Sequence, residues 1–93
     1  MQRDLALRYS RRAAKSLDNL PPKHCAQISR KTIALQRSPY PSDYKHLSGY
    51  PDMFEVSSGE YRIIYSVGKE VIDIIVIGKR NDGRVFQELA HCI

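Results

Sequence analysis

The strongest pattern in the chain is a pair of β-branched and aromatic runs, Tyr61 to Val67 and Glu70 to Ile77, separated by Gly68-Lys69. Such residues suit a pleated, half-buried surface, and a two-residue turn with glycine first joins antiparallel strands, so the runs predict a hairpin. Upstream, Leu5 and Leu7 alternate within Asp4 to Arg8, as in a short strand with one apolar face. Ser10 offers an N-cap hydroxyl to a helix starting at Arg11 and ending near Leu20. Pro21-Pro22 stops that helix, and Pro22 suits the first position of the next. In this second helix Cys25, Ile28, Thr32 and Leu35 recur at steps of three and four, with Ile33 beside them. Lys23, Gln27, Arg30 and Lys31 then face water.

Residues 38–43 form a loop by composition, Leu47 is the single apolar anchor of 45–52, and Met53 to Ser57 reads as a strand. Ser58-Gly59 and Asn81-Asp82-Gly83 are turns, and Val85 to Ile93 is a short final strand or helix. The sum is one α+β domain over residues 1–93. An N-terminal strand and a helical hairpin pack on an antiparallel sheet, and a short C-terminal element closes it.

A two-residue turn at Gly68-Lys69 sets Val67 opposite Glu70, Tyr65 opposite Ile72, Ile63 opposite Ile74 and Tyr61 opposite Val76. That apolar face belongs under the helices. The other face carries Arg62, Ile64 and Ser66 with Val71, Asp73, Ile75 and Ile77, a mixed set that is at least partly open. Arg62 there has two readings: a diagonal salt bridge to Asp73, or a guanidinium on a rigid strand that grips a phosphate with two prongs. Alternation puts Lys79 on the Arg62 face and Arg80 on the other, and a bulge at Gly78 would exchange them. With Arg84 just beyond, these cations suit a phosphate; a solvated strand end is the plainer reading.

The charge balance points the same way. Fifteen Lys and Arg against ten Asp and Glu give a net charge of +5, which favours an anionic partner. Cys25 and Cys92 lack any C-x-x-C spacing and read as reduced thiols, Cys25 buried on its helix. Three scattered histidines supply no ligand spacing, so neither metal nor cofactor is expected. No apolar run reaches membrane-spanning length, and the N-terminus has no leader pattern, so a cytoplasmic protein is expected.

Leu47-Ser48-Gly49-Tyr50-Pro51-Asp52-Met53-Phe54, then Gly59-Glu60-Tyr61-Arg62-Ile63-Ile64-Tyr65, then Ile77-Gly78-Lys79-Arg80 leading to Val85-Phe86, resemble the RelE/ParE toxin superfamily in its RelE-like branch. The resemblance spans nearly the whole chain. It implies the toxin of a type II toxin–antitoxin system, a ribosome-dependent endoribonuclease that cuts mRNA in the 30S A site. The RNA's own 2′-hydroxyl is then the nucleophile and no metal takes part. Such cleavage needs a proton acceptor, cations for the charged phosphorane and a donor for the leaving 5′ oxygen. Arg62 matches the arginine that stabilises the transition state, Arg80 the general acid or a second stabiliser, and Lys79 is its basic neighbour.

Relatives carry lysines where this chain has Glu55 and Ser57, leaving Glu55 as a carboxylate base or an exposed strand residue. Phe86 stands where RelE stacks a tyrosine on a base; it keeps the ring and loses the hydroxyl. His91 lies where several relatives place a catalytic histidine, and Lys45 and His46 are further RNA contacts or solvated loop residues. A cognate antitoxin is the implied protein partner. Two alternatives share the fold and charge: a ParE-like inhibitor of DNA gyrase without nuclease activity, and a non-catalytic RNA-binding module.

Overall fold

Strand β1 (Ala6–Tyr9) is followed by helix α1 (Arg11–Asp18), helix α2 (Pro22–Arg37) and strands β2 (Lys45–Leu47), β3 (Tyr50–Ser58), β4 (Tyr61–Val67) and β5 (Val71–Lys79). These come from a computed structural model that describes residues 4–79. The five strands make one sheet in the order β1-β5-β4-β3-β2. It is mixed, not antiparallel throughout, because β1 runs parallel to β5 with Leu7 opposite Ile72 and Tyr9 opposite Ile74. A helical hairpin between β1 and the later strands returns the chain to the same end of the sheet, which makes the parallel pairing possible.

The predicted caps hold. Ser10 Oγ accepts from the Ala13 amide at 3.0 Å, and Pro22 opens α2. Ile28, Thr32 and Leu35 are buried as their spacing requires, but Cys25 is only half-buried and Ile33 is 57% exposed. Ile33 falls one step beyond the buried stripe. The main core joins Ala13, Ile28 and Leu35 to Val56, Ile63, Tyr65, Ile72 and Ile74. Each of its Val, Leu and Ile side chains contributes on the order of 1.5–3 kcal/mol of burial. Tyr65 is fully buried and donates its hydroxyl to the Pro39 carbonyl at 2.7 Å, fastening the loop after α2.

Two registers differ from expectation. The β3–β4 turn sits at Gly59-Glu60, because Ser58 pairs with Tyr61, and Gly59 takes a φ of +60° there. The β4–β5 connection is longer than two residues: Val67 pairs with Ile72, and the Gly68 amide donates to the Val71 carbonyl at 2.8 Å. A bulge then leaves Ile75 unpaired, since Tyr65 faces Ile74 while Ile64 faces Val76. It lies three residues before Gly78, the predicted site. Beyond it the faces exchange. Ile77 joins the helix-covered core, and Val76 turns to the opposite face, where it packs with Ile64 and Leu47 in a second buried cluster. Segment 45–52 is also more regular than expected, forming the β2–β3 hairpin around Gly49, whose φ is +83°.

Candidate active site

The face away from the helices is built across four strands, β2 to β5. Ser57 is the cross-strand partner of Arg62, Arg62 that of Gly78, Glu55 that of Ile64, and Lys45 that of Glu55. Partners in register share a face, so Lys45, Glu55, Ser57 and Arg62 lie together. Arg62 Nε meets Glu55 Oε2 at 3.2 Å, with the two side chains 21% and 20% exposed. Asp73 is not its partner. It forms a two-pronged pair with Arg8 of β1, at 2.5 and 3.1 Å, which holds the Arg8 guanidinium more firmly protonated than usual. The bulge and the shifted register carry Asp73 opposite Ser66 and away from Arg62.

Glu55 Oε2 is buried and takes part in no hydrogen bond; its contact with Arg62 is ionic. The pair therefore offers an embedded carboxylate oxygen that can accept a proton and a partly desolvated guanidinium beside it. Partial burial strengthens their interaction relative to an exposed pair, without making its net stabilising value large.

Lys79 is exposed and pairs with Tyr61, which puts it on the helix-side face and not on that of Arg62. The bulge at Ile75 is the reason. His46 likewise faces the other way: it pairs with Phe54, and their rings stand 4.8 Å apart. With Tyr40 and Tyr44 these rings form an aromatic cluster against Tyr65 that the sequence reading did not anticipate. Arg80, Arg84, Phe86 and His91, with the turn at 81–83 and the C-terminal element, lie outside the described residues. Among the described residues no three His, Cys, Asp or Glu side chains gather as a metal site would need. No helix among them is long and apolar enough to cross a membrane.

The Glu55–Arg62 relation was within reach of the sequence. Counting back from a two-residue turn at Gly59-Glu60 pairs Ser57 with Arg62 and sets Glu55 diagonal to it. A turn at Ser58-Gly59 instead sets Glu55 directly opposite Arg62, so either placement of the turn brings the two onto one face.

No protein-family model and no curated protein matches the sequence. Solved structures do. A doubly substituted form of the E. coli toxin RelE in the free state superposes with a TM-score of 0.81 at 25% identity, covering 98% of this chain and 99% of that one. The toxin in the intact E. coli RelBE toxin–antitoxin complex gives 0.72 at 28% identity, covering 84% and 99%. The archaeal RelE–RelB complex from Pyrococcus horikoshii gives 0.75 at 26% identity, covering 87% and 100%.

Proposed function

Since the chain belongs by its fold to the RelE-like toxin superfamily, we propose that it is the toxin of a toxin–antitoxin pair and cleaves ribosome-bound mRNA on its Arg62–Glu55 face. The observation that carries this reading is the buried Glu55 oxygen, outside any hydrogen bond, 3.2 Å from a guanidinium on a central strand. In the reaction Glu55 takes the proton of the RNA 2′-hydroxyl. The 2′ oxygen attacks the adjacent phosphorus, and the phosphorus–O5′ bond breaks. The products are a 2′,3′-cyclic phosphate and a 5′-hydroxyl, the latter receiving its proton from a general acid for which Arg80 is the candidate by resemblance. Arg62 stabilises the charge that builds on the phosphorane oxygens, where a rigid donor in a water-poor setting is most effective. Lys45, on the same face, suits a flanking phosphate.

A cognate antitoxin, an mRNA substrate in the 30S A site and a cytoplasmic location belong to this reading. Ser57, where relatives carry a lysine, favours the alternative of a gyrase inhibitor without nuclease activity. Induced expression distinguishes them. The nuclease stops protein synthesis at once and leaves new mRNA 5′ ends inside codons; the gyrase inhibitor breaks DNA while translation continues. Purified protein that cut neither free nor ribosome-bound mRNA would overturn the nuclease assignment.

A further inference from the structure

In the free chain the carboxylate and the guanidinium of the candidate site are turned on each other. Glu55 Oε2 is buried and lies against Arg62 Nε at 3.2 Å. A general base must come within about 2.6–3.2 Å of the atom whose proton it takes. No substrate hydroxyl approaches that closely to an oxygen the folded chain already encloses. Arg62 is committed as well, because Nε is one tooth of the side-on fork with which a guanidinium grips a phosphate. The closed pair therefore suits a resting state better than a reacting one.

The contact is also one that can open. Ser57, not Glu55, is the register partner of Arg62, and Ile64 is that of Glu55. The two meet diagonally, through the ends of long side chains, and can part by rotamer changes with the ladder intact. On the other side Arg62 faces Gly78, which has no side chain to pin the guanidinium. Both side chains keep about a fifth of their exposure, so an anion can arrive from the open face. We infer that the Glu55–Arg62 pair is a latch opened by a tetrahedral oxyanion. The phosphodiester takes over the Arg62 fork, and the displaced Glu55 is exposed to the hydroxyl beside that phosphate. This rests on the reading of Glu55 as base and Arg62 as phosphate donor. The phosphate competes well because it offers two oxygens to the fork, whereas the Nε–Oε2 contact lacks hydrogen-bond geometry. The latch fixes an order of events: without a phosphate in place, the base stays covered.

Inorganic sulfate is the probe, a tetrahedral dianion that cannot be cleaved. It is titrated into the full chain at constant ionic strength, and NMR follows the Arg62 Nε–H signal and the Glu55 carboxyl carbon. In the parent both should move together, with one dissociation constant. Glu55→Gln removes the competing charge and should bind sulfate at Arg62 about 3–30-fold more tightly, the scale of coupling between residues in contact. Glu60→Gln removes the same charge from the exposed turn two residues before Arg62, and should change the affinity by less than about twofold. Equal gains in the two variants would reveal a general field and overturn the latch. So would a Glu55 signal that stays still while Arg62 titrates, weaker binding by Glu55→Gln, or no sulfate binding by either protein. Circular dichroism checks folding; if Glu55→Gln does not fold, the paired movement in the parent decides. Cleavage of ribosome-bound mRNA is scored separately. Paired movement without cleavage keeps the latch and removes the nuclease reading, whereas cleavage with a motionless Glu55 does the reverse.

Discussion

Ser10 clamps the bulge at Ile75. Its Oγ donates to the Ile75 carbonyl at 2.7 Å while accepting from the Ala13 amide at 3.0 Å, and its own amide donates to the Ile74 carbonyl at 2.8 Å. One hydroxyl thus starts α1 and satisfies a carbonyl at the place where the ladder is interrupted. Because the bulge decides which residues of β5 face Arg62, a helix cap and the floor of the candidate site are physically joined.

Ser10→Ala should destabilise the fold by about 1–3 kcal/mol, more than cap loss alone commonly costs, because the Ile75 carbonyl is also left without its donor. Ser10→Thr should recover most of the loss. Urea melts of the three proteins check this, and equal midpoints would disprove the clamp.

Tyr65→Phe keeps the buried ring and removes the hydroxyl that reaches the Pro39 carbonyl. Burial pushes the Tyr65 phenol well above its usual range, so it is this neutral donor that the loop depends on. A loss of about 1–2 kcal/mol is expected, with faster amide exchange in residues 38–44.

Arg62→Ala should lower the cleavage rate of ribosome-bound mRNA by about 10²–10³, the scale of losing one transition-state donor. Glu55→Gln should cost about 10²–10⁴ and remove the acid limb of the pH–rate profile. Lys79→Ala, on the opposite face, should cost far less. Single-turnover cleavage assays rank the three, and a Glu55→Gln variant with the parent's pH profile would exclude Glu55 as the base.

Partial burial pushes the Asp43 carboxyl up, but the Lys31 hydrogen bond and charge, aided by backbone hydrogen bonds, outweigh it and hold the carboxyl below its usual range. A depressed carboxylate adds stability above the unfolded-state pKa of about 3.9 and loses it as pH falls through the folded value. The parent should therefore exceed Lys31→Ala by less than about 1 kcal/mol at neutral pH, since the pair is partly exposed. The gap should close in strong acid. Thermal melts from neutral pH to about pH 2 follow it.

Periodicity carried most of the fold. Leu5, Leu7 and the stripe from Ile28 to Leu35 announced their faces, and Ser10 and Pro22 marked the helix starts. What escaped was set at long range. No local signal in Ile75 marks a bulge, because the carbonyl it frees is satisfied by Ser10, 65 residues earlier. The parallel seating of β1 beside β5 was equally hidden, since an isolated four-residue strand shows its faces but not its neighbour. At the candidate site, Arg62 was legible as a strand cation with an open-side address. Its tie to Glu55 was equally legible, since turns at Ser58-Gly59 and at Gly59-Glu60 put the two on one face, directly opposite in the first case and diagonal in the second.

The first strand lies at a sheet border and has only the last described strand beside it. Chains leave the ribosome amino end first, so β1 and both helices emerge long before β5 exists to receive them. Among the described strands, closing that span costs the most chain entropy, and the part of the face that β5 lends to Arg62 is laid only then. The Arg62 face is thus completed only once synthesis has passed β5, well after the helical hairpin has emerged.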